Sequence, residues 1–119
     1  MRRHLLTGIV IFFTCSAFAH SPGKIILKPN LANKTLSVTV NHNINSSELH
    51  YISMAEVFLN GQKVDQITFK EQSSLKTHVF YVNIDEMKEG DKIEVICYCN
   101  ISGFKKASVE VKKEQEKKT

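Results

Sequence analysis

Four residues of the sequence belong to the types that bind transition metals. They are His20, His42 and His50 in the first half of the chain and Cys99 near its end. A soft thiolate together with several imidazoles is a ligand set for a transition-metal ion. Neither the interval between His42 and His50 nor the Cys97-x-Cys99 pair has the spacing of a standard zinc motif. Spacing alone leaves two interpretations open: a metal site, or scattered surface histidines with a cysteine that fills an apolar space.

The elements that would position these residues are strands. In the segment Thr35–Asn41, the apolar residues Leu36, Val38 and Val40 alternate with polar ones, and a period of two is typical of a half-buried strand. Helical periodicity is nearly absent. The further predicted strands are Lys24–Leu27, Tyr51–Leu59, Lys63–Phe69, Lys76–Asn83, Lys92–Cys99 and Phe104–Val111.

Turn residues separate the predicted strands. Asn60-Gly61 is a two-residue hairpin signal because both residues tolerate positive φ, and Glu89-Gly90-Asp91 and Ser102-Gly103 separate the later strands. About seven short strands at this spacing predict an all-β fold, an antiparallel β-sandwich. Strand-end loops at one pole of a sandwich can bring distant residues together, and we predict that His42, His50 and Cys99 converge in this way.

Length and charge exclude several classes of protein. The chain has 119 residues, about one domain, with 42% hydrophobic and 24% charged residues. Its net charge of +4 comes from 16 Lys+Arg and 12 Asp+Glu, and two of the arginines lie in the leader described next. The remainder, 14 − 12 = +2, indicates no nucleic-acid partner. Three cysteines do not make a disulfide-dense protein.

The N-terminus has the pattern of a secretory signal peptide. Two arginines precede the apolar run Leu5–Phe13, and Ala17-Phe18-Ala19 has the small-x-small pattern of a cleavage site. The apolar run is shorter than the ~20 residues that span a bilayer. We therefore predict a signal peptide at 1–19, removal of Cys15 with it, and a mature chain that starts at His20. The mature protein is predicted to be periplasmic or secreted, without a membrane partner.

The mature chain is predicted to hold one β-sandwich domain, residues 20–111. Residues 112–119 are mostly charged and carry no apolar face. They are predicted to form a solvated C-terminal tail.

Three motifs resemble a known family. His50-Tyr51-Ile52 opens a long strand, Asn60-Gly61 ends it, and Cys99-Asn100-x-x-Gly103 follows a later strand. This combination resembles the iron domain of superoxide reductases, the desulfoferrodoxin and neelaredoxin family. The resemblance implies an immunoglobulin-like antiparallel β-sandwich with one non-haem iron. It also implies reduction of superoxide to hydrogen peroxide, with an electron donor protein as partner.

In that family, four equatorial histidines and one axial cysteine hold the iron and leave a sixth position open to superoxide. Compared position by position, His20 in His20-Ser21-Pro22 matches the first histidine, His42 the second and His50 the third. Cys99 matches the axial thiolate. The resemblance therefore implies His20, His42, His50 and Cys99 as the metal ligands, with mononuclear iron as the cofactor.

The chain departs from the family pattern at three places. Ser102 stands where the fourth histidine is expected, Asn43-Ile44 replaces the usual Pro-Met, and Phe18-Ala19 replaces Glu-Lys. A further donor could be the α-amine of His20, which would favour copper over iron, or the imidazole of His78.

The missing histidine keeps a second function open. A non-catalytic sandwich could retain the fold without the metal site. Such a protein would be an immunoglobulin-like binding module related to the Z subunit of the sulfur-oxidation carrier complex.

Overall fold

The computed structural model describes residues 22–46 and 48–113. The predicted signal peptide and His20 lie outside the described residues, as does most of the predicted tail. The described chain forms seven strands: β1 (Ile25–Asn30), β2 (Thr35–Asn41), β3 (Ile52–Leu59), β4 (Gln62–Thr68), β5 (Thr77–Asn83), β6 (Lys92–Cys99) and β7 (Phe104–Glu110).

The strands form two antiparallel sheets. One has three strands in the order β1-β2-β5, and the other has four in the order β4-β3-β6-β7. This is the strand order of an immunoglobulin-type sandwich with one difference. Here β4 pairs with β3, whereas in a constant-type immunoglobulin domain the fourth strand pairs with the fifth. The all-β antiparallel sandwich predicted from the sequence is confirmed.

The core lies between the two sheets and follows the predicted alternation. Leu36, Val38 and Val40 of β2 are fully buried, and Val57 of β3 and Val95 of β6 are fully buried in the same cluster. Burial of such side chains is the main favourable contribution to folding, at about 25 cal/mol per Å² of apolar surface. The period of two therefore decides which side of each strand faces the core.

Strand β1 runs further than predicted. The strand was predicted to end at Leu27, but its pairing with β2 continues to Asn30, through Pro29 opposite Leu36. Proline has no N–H to donate to a neighbouring strand, so it is disfavoured in a central strand, which has a partner on each side. Because β1 is an edge strand that pairs only with β2, Pro29 interrupts no second ladder.

The hairpin at Asn60-Gly61 is confirmed. Both residues have positive φ, 50° and 86°, as a type I′ turn requires. The Asn60 side chain also joins the hairpin to the start of β6: its Nδ2 donates to Asp91 Oδ1 over 3.0 Å, and its Oδ1 accepts from Lys92 N over 2.9 Å.

The described residues contain no helix, so none of them forms a helical segment that could cross a membrane. Before β3, His50 N donates a hydrogen bond to Ser46 O over 3.0 Å. This segment leads directly into the candidate site.

Candidate metal centre

Three strand ends meet at one pole of the sandwich and carry the candidate ligands. His42 follows β2, His50 precedes β3, and Cys99 is the last residue of β6. Because β3 and β6 are antiparallel, the start of one lies beside the end of the other, with Ile52 paired to Cys99. The predicted convergence of the three residues is therefore observed.

The three side chains lie within reach of one ion. One ligand atom from each of His42, His50 and Cys99 lies within 4.8 Å of the other two. His50 Nε2 is 3.1 Å from Cys99 Sγ, and the rings of His42 and His50 meet edge to face, with centroids 4.6 Å apart and an interplanar angle of 89°.

This arrangement fits a transition metal. Nitrogen and sulfur ligands about 2.1 and 2.3 Å from a common ion lie roughly 3.1 to 3.6 Å apart when they occupy neighbouring positions. The 3.1 Å between His50 Nε2 and Cys99 Sγ falls at that separation. Two imidazoles and a thiolate suit iron, copper or zinc and do not suit the hard cations Mg²⁺ and Ca²⁺.

A β-bulge directs His50 into the site. Ala55, Val57 and Leu59 of β3 face the core. If the same alternation continued toward the start of the strand, Ser53 would also face the core. The pairing of β3 with β6 shifts between Ile52 and Met54, so Ile52 is buried and Ser53 is not. His50, two residues before Ile52, then lies on the core side of the chain. Bulges often redirect side chains in this way beside functional sites.

Asn100 holds the backbone around His50 against the end of β6. Its Oδ1 accepts a hydrogen bond from Tyr51 N over 2.9 Å, and its Nδ2 donates to Leu49 O over 3.1 Å. Its own N–H donates to Tyr51 O over 3.0 Å. The residue after Cys99 therefore binds both neighbours of His50. Asn100 belongs to the Cys99-Asn100-x-x-Gly103 motif, but this role was not predicted from the sequence.

Gln72 contacts His42 and was not predicted from the sequence. It is 4% exposed and lies in the segment between β4 and β5. Its Oε1 is 2.7 Å from His42 Nδ1. No local signal marks this residue, because the segment around it has no periodicity and no motif.

Comparison with known proteins identifies the family of the chain. The desulfoferrodoxin family model matches residues 16–108, most of the chain. The chain belongs to the desulfoferrodoxin family of superoxide reductases. No curated protein matches it in sequence.

Solved superoxide reductases share the fold. The one-iron enzyme from Giardia intestinalis superposes with a TM-score of 0.56 at 15% identity, covering 77% of this chain and 97% of its own. A variant of the neelaredoxin from Ignicoccus hospitalis superposes with a TM-score of 0.51 at 23% identity, covering 82% of both chains. At these identities the likeness concerns the fold.

The family's fourth histidine has no counterpart after Cys99 in this desulfoferrodoxin-family chain. Ser102 is half-buried in the loop between β6 and β7. That loop is closed by a hydrogen bond from Cys99 N to Gly103 O over 3.0 Å, and Gly103 has a φ of 86°. The hydroxyl of a serine is neutral and a poor ligand for iron.

His78, the other possible donor, is buried but is not one of the three residues whose ligand atoms converge. It is 5% exposed, its Nδ1 accepts from Ser73 N over 3.1 Å, and its ring packs against Phe69 with centroids 4.3 Å apart. Burial, and secondly the nearby charge of His42, lower the pKa of His78. These contacts describe a neutral, buried histidine whose Nε2 has no hydrogen-bond partner among the described residues.

Cys97 faces the same way as Cys99 but belongs to the hydrophobic core cluster. It is fully buried, and burial raises its pKa to about 12. Cys97 and Cys99 are both free thiols. A thiol that keeps its proton packs as a small apolar side chain, so the cysteine of the candidate centre is Cys99.

Proposed function

We propose that the mature protein is an exported, mononuclear non-haem iron protein that reduces superoxide to hydrogen peroxide. His42, His50 and Cys99 would hold the iron, and His20 would complete the set from the mature N-terminus. The observation that carries the proposal is the approach of the Cys99 sulfur to two imidazoles at one pole of the sandwich. Membership of the desulfoferrodoxin family supports it.

The proposed reaction adds one electron and two protons to superoxide and yields one hydrogen peroxide. A ferrous ion held by His42, His50 and Cys99 would supply the electron. An electron donor protein must then return one electron for every superoxide reduced. By name, the solved relative from Giardia intestinalis is a one-iron superoxide reductase.

The residues of the chain prepare the site for this chemistry. Cys99 must give up its proton to bind metal, and the imidazoles must bind as neutral rings. His42 and Cys99 are buried, at 3% and 7% exposure, whereas His50 is half-buried. The cysteine side of the site is therefore shielded from water.

The proposed location rests on the N-terminal sequence. A positive start, a short apolar run and the Ala17-Phe18-Ala19 pattern support cleavage after Ala19 and release into the periplasm or the medium. The intact mass of the exported protein tests this step. A mass that includes residue 1, or a lipid on Cys15, would contradict it and would remove His20 from the mature N-terminus.

The decisive experiment measures metal content and product on one sample. The mature chain, purified anaerobically without a histidine tag, is expected to contain one iron and no comparable copper. Mixed with superoxide and a reductant, it should form one hydrogen peroxide per superoxide and release no dioxygen. Release of one dioxygen for every two superoxides would instead indicate dismutation.

The second candidate function is the non-catalytic binding module, and Ser102 is the observation that favours it. A chain that binds no iron, copper or zinc, and does not consume superoxide faster than the same chain treated with chelator, would establish this alternative. A retained β-sandwich in circular dichroism would show that the fold does not need the metal.

A further inference from the structure

The buried amide of Gln72 joins two parts of the chain at the candidate centre. Its Nε2 donates hydrogen bonds to the carbonyl oxygens of His42 and Ser74, each over 2.8 Å. Its Oε1 lies 2.7 Å from His42 Nδ1. Every polar atom of this buried side chain thus has a partner, and two of the three contacts are made to His42.

The two donated bonds decide which end of the amide faces His42. Only an amide nitrogen can donate to two carbonyl oxygens, so the atom next to His42 Nδ1 is the oxygen, which can only accept. The Nδ1 atom of His42 must therefore carry the proton. In a neutral imidazole the lone pair is then on Nε2, which is the nitrogen that could bind a metal.

The same amide fixes the backbone that carries His42. The segment before β5 already pairs with the chain after β2, through His42 N to Lys76 O and Ile44 N to Leu75 O, both over 2.9 Å. Gln72 adds the bond to His42 O from inside this segment. The ring and the backbone of His42 are therefore held by one neutral side chain.

We propose that Gln72 is a positioning residue that holds His42 in the Nδ1–H tautomer and orients its ring for metal binding. The proposal deepens the proposed function and rests on its metal site, but it does not depend on which metal is bound. Free histidine favours the opposite tautomer, with the proton on Nε2, which blocks that atom as a ligand. Outer partners of metal-binding histidines commonly act in this way.

The test compares three variants of the full mature chain. Gln72→Met keeps the size of the side chain but removes the acceptor and both donors. Gln72→Glu keeps an acceptor for Nδ1–H. Ser74→Ala is the matched control, because it removes the bonds of the Ser74 hydroxyl to Thr77 and leaves the Ser74 carbonyl that Gln72 uses.

Two measurements are made on each variant. The ¹⁵N chemical shifts of the His42 ring, in metal-free protein at a pH where the ring is neutral, report the tautomer directly. Titration with zinc(II) reports the affinity of the site without redox chemistry. We expect Gln72→Met to shift His42 toward the Nε2–H tautomer and to weaken zinc binding about 10–100-fold. Gln72→Glu should keep the Nδ1–H tautomer, and Ser74→Ala should change neither quantity.

An unchanged tautomer in Gln72→Met would overturn the proposal. Equal losses of zinc affinity in Gln72→Met and Ser74→Ala would also overturn it, because the loss would then come from the loop as a whole. If the wild-type chain binds no zinc, iron or copper, the metal site itself is wrong. The tautomer measurement still decides, in that case, whether Gln72 holds His42.

Discussion

His50 Nε2 lies 3.1 Å from Cys99 Sγ, although 49 residues separate the two in the chain. The antiparallel pairing of β3 with β6 places the start of one strand beside the end of the other. The bulge between Ile52 and Met54 then directs His50 to the core side, and Asn100 holds its backbone there. The fold itself therefore brings the thiol and the imidazole together.

Replacing Cys99 by Ser is expected to abolish the thiolate-to-iron charge-transfer band of the ferric protein. A serine hydroxyl keeps its proton where a thiol gives it up to the metal. Iron affinity should fall by at least about tenfold, because even the loss of a residue that only hydrogen-bonds to a metal ligand lowers metal affinity by that much. Visible absorption spectra of oxidised protein measure the band, and Cys97→Ala is the control that should retain it. If the band survives Cys99→Ser, a residue other than Cys99 supplies the thiolate.

Replacing Ser102 by His is expected to tighten iron binding, because it returns an imidazole to the loop that follows Cys99. Competition with a chelator measures the change in affinity. Ser108→His, on an exposed position of β7, is the control and should leave the affinity unchanged. If both variants bind iron no better than the wild type, and the wild type binds none, the binding-module interpretation is preferred.

Replacing Asn100 by Ala should loosen the chain around His50. The variant loses the two side-chain hydrogen bonds to Tyr51 N and Leu49 O, and each is worth about 0.5 to 1.5 kcal/mol. We expect unfolding free energy to fall by about 1 to 3 kcal/mol and metal affinity by about 10–100-fold. Asn100→Asp keeps the acceptor and should show a smaller loss of affinity. Urea unfolding and zinc titration measure the two effects separately.

Asp91 is expected to contribute stability that disappears in acid. Hydrogen bonds from Asn60, and then from the Lys88 backbone, lower the pKa of Asp91. A carboxyl group whose folded pKa is lowered stabilises the fold above its unfolded pKa, near 3.9, and this contribution is lost as the pH falls through the folded pKa.

Urea midpoints between pH 7 and pH 2 test the role of Asp91. Asp91→Asn should be less stable than wild type at pH 7, and the difference should shrink below about pH 4, near the unfolded pKa. Asp85→Asn, an exposed carboxyl group, is the control with little effect. A difference for Asp91→Asn that stays constant with pH would show that its charge does not matter.

Cys97 is expected to resist alkylation in the folded protein. The nucleophile in alkylation is the thiolate, and burial raises the pKa of Cys97 to about 12. At pH 8, iodoacetamide should therefore label Cys97 only after unfolding. The experiment uses the Cys99→Ser variant, so that labelling measured by mass spectrometry at position 97 is not confused with labelling of Cys99. The same variant in denaturant is the positive control and should be labelled. Rapid labelling in the native state would mean that the core opens at this position.

The sequence predicted the strands because their signal is local. Alternation in β2 and the Asn60-Gly61 turn depend on neighbouring residues, and both were found as predicted. The end of β1 was predicted wrongly because Pro29 is disfavoured in a central strand, and the sequence does not reveal that β1 is an edge strand.

The residue types that could bind a metal were identified from the sequence alone, and the motifs around His50 and Cys99 indicated the family. Tertiary structure alone decided how they are arranged. The bulge in β3 depends on its pairing with β6, and the contact of Gln72 with His42 joins residues 30 positions apart. Periodicity reports which side of a strand is apolar, whereas a ligand's tautomer and direction depend on atoms that only folding brings within hydrogen-bond distance.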